Sequence, residues 1–136
     1  MDDAKLIGLA RDAAGNAYNP YSDFQVGAAL LTEDGTVFCG CNVENASYGL
    51  TICAERTAIC SAIAAGYKAF TSIAIVATRA ATPCGACRQF LAEFVSPAFR
   101  VIVAPLSAIS DYQVYTMESL LPYQFILHQH EAQDLT

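Results

Sequence analysis

The first part of the chain carries two different spacings of apolar residues. Small and apolar side chains recur at helical spacing over residues 2–17. The Asn-Pro pair that follows ends this helix, because a residue before proline avoids the helical region. Two β-rich runs come next, FQVGAALL and TVFCGCNV, with a turn containing Asp34-Gly35 between them. This order predicts a β-hairpin.

The remainder of the chain alternates extended and helical patterns. Two continuous apolar runs, TSIAIVAT and RVIVAPL, are typical of strands buried on both faces, and YQVYT indicates a weaker strand. Helices are predicted before, between and after these strands, over residues 53–65 (ended by Gly66), 85–95 and 117–121 (capped by Thr116). A hairpin followed by this alternation predicts an α/β layered fold with a mixed sheet.

The composition favours a single folded domain over residues 1–136. Of the 136 residues, 54% are hydrophobic and only 15% are charged, so we expect a packed core and no extensive disorder. A mean hydropathy of +0.35 is high for a small monomer. Contacts between subunits would bury the surplus apolar surface.

Charge and the lengths of apolar runs exclude several classes of function. A net charge of −6 argues against binding a polynucleotide, which needs a basic groove, and favours a small neutral ligand. No apolar run reaches the roughly 18 residues of a membrane span. The acidic start, MDDAKLIG, lacks the basic region of a signal peptide. We therefore expect a cytoplasmic protein that does not bind membranes.

The six cysteines are expected to be thiols or metal ligands, because no secretion signal accompanies them. The pair Cys84-x-x-Cys87 is a weak signal by itself, since it fits a redox pair, half a zinc site or two buried thiols. Cys53 favours zinc, because it also begins a predicted helix. Two such helices packed side by side would bring the three sulfurs together, and helix N-termini stabilise the thiolates that bind Zn²⁺.

Three protein ligands are typical of a catalytic zinc site, because the fourth position stays open for water. Cys60 is excluded as a fourth ligand, since it lies two turns further along the helix that Cys53 begins. Spacing does not exclude Cys41, although we expect both Cys41 and Cys39 to be buried free thiols.

Two charged residues follow Cys53 closely in the sequence. Glu55 would face the open position of the metal and could exchange protons with a bound water, whereas alone it would be interpreted as a solvated first-turn acid. Arg56 fits two interpretations equally well. It could donate to the ligand sulfurs and offset their negative charge, or it could be an exposed or ion-paired helix arginine.

These motifs match the zinc deaminase signature, in which His or Cys, one residue and Glu are followed by Pro-Cys-x-x-Cys. The chain reads C-A-E from Cys53 and P-C-G-A-C from Pro83. With the further blocks NPYSDFQVGAALL, GCNVENASYG and ESLLPYQF, the chain resembles the small bacterial-type cytidine deaminases over nearly its whole length. The resemblance implies a three-layer α/β/α fold around a mixed five-stranded sheet. It also implies a homotetramer whose active sites are shared between subunits.

The resemblance further implies hydrolysis of cytidine and 2′-deoxycytidine to the uridines with release of ammonia, for pyrimidine salvage. Cys53, Cys84 and Cys87 would hold zinc, which activates water, and Glu55 would be the proton shuttle. The implied nucleoside-binding residues are Phe24 against the pyrimidine, Asn42 and Glu44 at the ribose 3′-hydroxyl, and the Ala54 N–H at the base O2. Ala46 and Tyr48 are implied to reach the 5′-hydroxyl of a neighbouring subunit's ligand. Phe125 is implied to contribute a second ring across the interface.

Other interpretations of these residues stay open. Phe24 also fits a core strand, Asn42 a turn and Glu44 a surface acid. The same fold serves deaminases of cytosine-containing antibiotics such as blasticidin S, and a structural zinc module could act as an interaction domain. The tail matches no family pattern, and its His128 and His130 are interpreted as solvated rather than metal-binding.

Overall fold

The predicted strands and helices are present in the structure, a computed structural model that describes residues 1–127. In chain order the elements are α1 (Asp3–Ala14), β1 (Val26–Thr32), β2 (Val37–Cys41), a 3₁₀ turn (Tyr48–Leu50), α2 (Ala54–Ala64), β3 (Phe70–Ala77), α3 (Gly85–Ala92), β4 (Arg100–Pro105), β5 (Gln113–Thr116) and α4 (Met117–Leu120). Thr116 caps α4 as predicted, since its hydroxyl accepts a hydrogen bond from the Ser119 N–H at 3.2 Å. Within the described residues, no helix combines the length and apolar character needed to cross a membrane.

α1 and α3 end several residues before their predicted boundaries, whereas the ends of α2 and α4 agree to within one residue. α1 ends at Ala14 instead of residue 17, because Gly15 turns the chain and Tyr18 then pairs with Val43 as an isolated bridge. α3 ends at Ala92 instead of residue 95, because the backbone tightens into a turn before the Ser-Pro pair. In both places a local turn replaces the last helical turn that the apolar spacing predicts.

The strands within residues 1–127 form one mixed five-stranded sheet in the order β2-β1-β3-β4-β5. β3 and β4 are parallel, and the other neighbouring pairs are antiparallel. The connection from β3 through α3 to β4 is the crossover that a parallel pair requires. The predicted α/β fold with a mixed five-stranded sheet is therefore confirmed.

The sheet is buried on both faces by alternate residues of its central strands. On β3, Ile73 and Ile75 belong to the core beneath α2 and α3, whereas Ala74 and Val76 belong to the core beneath α1. β1 and β4 follow the same alternation, because successive strand side chains point to opposite faces. Helices therefore cover both faces, and the fold has three layers, α/β/α.

The strand ends nearest the predicted ligands lie together at one end of the sheet. Gly27 pairs with Cys41, Val26 pairs with Ala77, and Ala77 pairs with Pro105. The start of β1 therefore lies beside the ends of β2, β3 and β4. Both α2 and α3 begin beyond this end of the sheet. Ligands in open α/β sheets bind outside the carboxyl ends of the strands, so a binding site is expected at this end of the sheet.

The packing of α1 on the sheet depends on Gly27, where a Cβ atom would overlap the Ala10 carbonyl oxygen and the Ala14 backbone nitrogen. We expect Gly27→Ala to lower the free energy of unfolding by about 2–3 kcal/mol, because backbone atoms would have to move apart. Urea denaturation measures this change. The matched control is Gly8→Ala within α1, where nothing lies within 4 Å, and which should stabilise by about 0.5–1 kcal/mol. Equal effects of the two substitutions would contradict the argument.

Candidate metal centre and cleft

Three cysteine sulfurs meet where α2 and α3 begin. Cys53 is the N-cap of α2, Cys84 is the N-cap of α3, and Cys87 lies in the first turn of α3. Their sulfur atoms all lie within 4.8 Å of one another, and the sulfurs of Cys53 and Cys84 are 4.0 Å apart. Thiolates about 2.3 Å from a tetrahedral Zn²⁺ are separated by roughly 3.8 Å, so this donor set fits zinc in both chemistry and spacing.

The cluster favours the ionised form of one thiol. A hydrogen bond from the Cys87 thiol, with a smaller contribution from Arg56, lowers the pKa of Cys53 to about 5, and burial opposes this shift. The pKa of Cys87 is raised, because its thiol is the donor in that hydrogen bond and is buried. The lowered pKa favours the thiolate form of Cys53, and the thiolate is the form that binds metal.

Arg56 lies against this cluster. Its Nη2 donates to the Cys53 sulfur at 3.4 Å, and its pKa is raised, first by that hydrogen bond. The Arg56 Nε is buried and has no hydrogen-bond partner among the described residues. The guanidinium thus faces the sulfurs at a short distance, where its positive charge opposes theirs.

Glu55 is buried beside the cysteines, with only 5% of its surface exposed. Burial is the main cause of its raised pKa, and the charge of Cys53 raises it further. This burial does not fit the solvated first-turn acid that Glu55 alone would suggest. A carboxyl group whose pKa is raised by burial holds a proton more readily than an exposed one, so it is suited both to accept and to donate a proton.

A cleft of about 410 Å³ opens over Cys53, Cys84 and Glu55. Its lining includes Phe24, Asn42, Glu44 and Ala54 from the predicted nucleoside-binding set, together with Ser22, Val26, Thr51, Cys53, Ile75, Ala77, Ala81, Thr82 and Cys84. The wall is largely apolar and has a few polar groups, as is usual for small-molecule sites. The volume is in the range of such pockets.

The side-chain amide of Asn42 is hydrogen-bonded to the backbone where β1 begins. Its Oδ1 accepts a hydrogen bond from the Val26 N–H at 3.0 Å, and its Nδ2 donates to the Phe24 carbonyl at 2.8 Å. Asn42 is 8% exposed, and these two bonds fix the backbone on both sides of Gln25. The side chain therefore sets where the Phe24 ring stands in the cleft.

The carboxylate of Glu44 is held by the segment that precedes Phe24. It accepts hydrogen bonds from the Tyr21 N–H at 2.9 Å, from the Ser22 N–H at 3.2 Å and from the Ser22 hydroxyl. The Ser22 hydroxyl is the main reason why the pKa of Glu44 is lowered. An ionised acceptor therefore stands at the rim of the cleft, in a fixed orientation.

Three predicted residues, Ala46, Tyr48 and Phe125, are not among those that line the cleft of a single chain. Ala46 is exposed, Tyr48 is 76% exposed, and Phe125 is 69% exposed. Tyr48 lines a neighbouring cavity of about 350 Å³ together with Glu44. The backbone of Phe125 is held by Gln89, whose side chain makes hydrogen bonds of 3.1 and 3.3 Å with it.

The remaining cysteines do not join the metal cluster. The prediction that Cys39 is a buried thiol is wrong, since it is exposed on the edge strand β2. The same prediction is wrong for Cys41, which is only half-buried and whose sulfur donates to the Asn16 carbonyl at 3.6 Å. Cys60 is exposed on α2. His128 and His130 lie outside the described residues.

Two arginines at the site, Arg79 and Arg88, were not predicted from the sequence. The guanidinium carbon of Arg79 lies 5.4 Å from the centroid of the Phe24 ring, which is a cation–π distance. Arg88 makes three hydrogen bonds, one of them to the Pro83 carbonyl next to Cys84. The CGACRQ block points to Arg88 only through its place beside Cys87, and no sequence pattern pairs Arg79 with Phe24.

Three cysteines at two adjacent helix N-termini, beside a buried carboxyl group in an α/β/α domain, define a zinc-dependent enzyme of the hydrolytic deaminase class. The family model for the cytidine and deoxycytidylate deaminase zinc-binding region matches residues 1–104. The chain therefore belongs to that family, and the resemblance seen in its motifs is confirmed. Family and cysteine cluster together also confirm the predicted zinc cofactor.

Individual relatives agree with this assignment. Cytidine deaminase from Sporosarcina psychrophila is 46% identical over 127 residues, 92% of each chain. Cytidine deaminase from Halalkalibacterium halodurans is 50% identical over 127 residues, 92% of this chain and 95% of the relative. The crystal structure of cytidine deaminase from Burkholderia pseudomallei is similar with a TM-score of 0.86 at 50% identity, over 92% of this chain and 100% of that one. Cytidine deaminase from Mycobacterium tuberculosis gives 0.80 at 39% identity, over 93% and 100%.

Proposed function

We propose that this chain deaminates cytidine and 2′-deoxycytidine to the uridines with release of ammonia, as a single-domain enzyme of cytoplasmic pyrimidine salvage. The observation that carries the proposal is the position of Glu55, buried in the wall of the cleft that also contains Cys53 and Cys84. The names of the relatives support cytidine as the substrate.

Cys53, Cys84 and Cys87 would hold the zinc ion. When bound, zinc supplies Lewis acidity that makes water a nucleophile at neutral pH. Glu55 takes the proton of the attacking water and delivers it to N3 of the pyrimidine, which makes C4 electrophilic. The hydroxide left by this transfer adds to C4. Glu55 then takes the proton of the new C4 hydroxyl and passes it to the 4-amino group, so that the C4–N bond breaks, ammonia leaves and C4=O forms. One carboxyl group serves both transfers, because burial raises its pKa and lets it hold a proton between the two steps.

The charge of the site requires compensation, since three thiolates outweigh one Zn²⁺ ion. The hydrogen bond of 3.4 Å from Arg56 to the Cys53 sulfur supports the role of Arg56 as a charge-compensating donor. The N-termini of α2 and α3 add their partial positive charges at the same place. Both contributions offset the negative charge of the sulfurs, which would preserve the Lewis acidity that zinc supplies when bound.

The nucleoside would lie along the cleft with its base towards Glu55. Phe24 packs on the pyrimidine, the N–H of Ala54 at the start of α2 donates to the base O2, and Asn42 and Glu44 meet the ribose 3′-hydroxyl. The lining of the cleft by all four residues supports this arrangement. Glu44 is an oriented acceptor, and Asn42 keeps one free amide N–H and one free lone pair beyond the bonds that it makes to the backbone.

The chain would act as a homotetramer with shared active sites. Large apolar side chains are exposed around the cleft and in the last described residues, namely Tyr21, Val43, Tyr48, Leu50, Ile52, Tyr123, Phe125, Ile126 and Leu127. Contacts with other copies would cover such a surface. Ala46 and Tyr48 would then reach the 5′-hydroxyl of a neighbouring subunit's ligand, and Phe125 would lend its ring across the interface.

A substrate panel tests the proposed function. We expect the zinc-loaded protein to release ammonia from cytidine and 2′-deoxycytidine, and not from cytosine or blasticidin S. A protein that holds zinc and releases no ammonia would be a structural zinc module instead, and preferential turnover of blasticidin S would indicate an antibiotic deaminase. Sedimentation measures the oligomeric state in the same preparation.

Arg79 offers a further prediction through its contact with Phe24. We expect Arg79→Gln to raise KM for cytidine by roughly two- to fivefold with kcat nearly unchanged, because an exposed cation–π contact contributes about 0.5–1 kcal/mol to the placement of the ring. Steady-state kinetics measure both constants. The control is Arg11→Gln on α1, which removes the same charge from a residue that does not line the cleft. An equal rise of KM in a Phe24→Leu background would contradict the assigned contact.

A further inference from the structure

The side chain of Arg88 connects the loop before Cys84 to the end of α4. Its Nε donates to the Pro83 carbonyl at 2.7 Å, and its Nη2 donates to the Thr82 hydroxyl at 2.8 Å. Its Nη1 donates to the Leu120 carbonyl at 2.9 Å. All three guanidinium nitrogens are therefore used, and the group is half-buried.

The first two bonds fix the residues that lead directly into the metal cluster. Cys84 is the N-cap of α3, and its own side chain makes no capping bond, so the helix end alone does not orient its sulfur. Cys84 is exposed, whereas Cys87 is buried among core residues. Of the two α3 ligands, Cys84 thus depends more on the conformation of the preceding loop, and Arg88 holds that loop at Thr82 and Pro83.

The third bond gives Arg88 an anchor outside the loop. The Leu120 carbonyl lies at the end of α4, and Leu120 and Met117 belong to the core beneath α2 and α3. Arg88 itself stands one turn into α3. The guanidinium therefore ties the loop to two elements that are packed on the sheet, and a planar fork with donors in fixed directions suits three partners in different directions better than an ammonium does.

We propose that Arg88 is a positioning residue that holds Cys84 in place for the metal through Thr82 and Pro83. The proposal rests on the zinc site of the proposed function, and it adds a residue that touches neither the ion nor the nucleoside. Partners that orient metal ligands typically change metal affinity by roughly 10–100-fold when they are removed. Loss of Arg88 is expected to act within that range.

Zinc release provides the test, because it is independent of turnover. We expect Arg88→Lys and Arg88→Met to release zinc to a chromogenic chelator roughly 10–100-fold faster than the wild-type chain. Thr82→Val, which removes one of the three bonds, should give a smaller acceleration. After cobalt substitution, the Arg88 variants should show shifted thiolate-to-cobalt absorption bands, a signature that reports ligand geometry and not general stability.

Gln89→Ala is the matched control, since Gln89 is the next residue on α3 and holds the backbone of Phe125 instead of the loop. We expect it to leave zinc release and the cobalt spectrum as in the wild type. Wild-type zinc release in folded Arg88 variants would overturn the proposal, as would equal acceleration by Gln89→Ala. If the Arg88 variants do not fold, an unchanged release rate in Thr82→Val overturns it. A wild-type chain that binds no zinc would instead overturn the metal site of the proposed function.

Discussion

Glu55→Gln is expected to retain zinc and to lower kcat for cytidine by roughly 10²–10⁴-fold or more. The amide keeps the size of the carboxyl group and a polar atom at the same place in the cleft, but it cannot accept a proton from water or pass one to the base. Because Glu55 is 5% exposed, bulk solvent cannot easily replace it as a proton carrier. Ammonia release under saturating cytidine and metal analysis of the same sample measure the two expectations together.

The control for this substitution is Glu118→Gln. Glu118 is also an acid in the first turn of a helix, but it lies exposed on α4, away from the cleft. It should turn over cytidine at the wild-type rate. Near-normal kcat in zinc-loaded Glu55→Gln would rule out the proton shuttle, whereas loss of zinc from that variant would mean that Glu55 supports the metal site and not the chemistry.

Local patterns predict the fold well, because the spacing of apolar residues and the turn residues beside each segment are enough to assign most of its elements. The continuous apolar runs become β3 and β4, which are the central parallel pair of the sheet. The placement of Cys53 and Cys84 at helix starts follows from the breaks in the sequence just before them. Once both helices pack on one face of the sheet, the convergence of their N-termini follows from the topology.

Apart from the local turns that end α1 and α3, the failures involve contacts between residues that are distant in the sequence. The partner of Arg88 on α4, the Leu120 carbonyl, lies 32 residues away from it, and only the folded chain brings α4 to α3. Cys39 looks like a core residue in its apolar run, yet β2 is an edge strand and leaves it exposed. Tyr48 and Phe125 are exposed in one chain, and the proposed tetramer would supply their partners from another subunit.

Cys87→Ala is expected to abolish zinc binding and turnover together. Cys87 is completely buried in the first turn of α3, so no other side chain can take its place from solvent. In the wild type, bound zinc stabilises the folded chain by about 4 kcal/mol when free zinc is 1,000 times its Kd. Removal of zinc by a chelator should therefore lower the Tm of the wild type by roughly 10 °C or more, and it should leave the Tm of Cys87→Ala unchanged.

Cys60→Ala separates the loss of a ligand from the loss of any thiol on these helices. Cys60 is exposed on α2, away from the cluster, so this variant should keep zinc, activity and the chelator-dependent fall in Tm. Differential scanning calorimetry with and without chelator compares the three chains directly. A Cys87→Ala chain that still binds zinc and still loses stability on chelation would show that the metal lies elsewhere, and the assignment of α2 and α3 as the metal-binding elements would then be wrong.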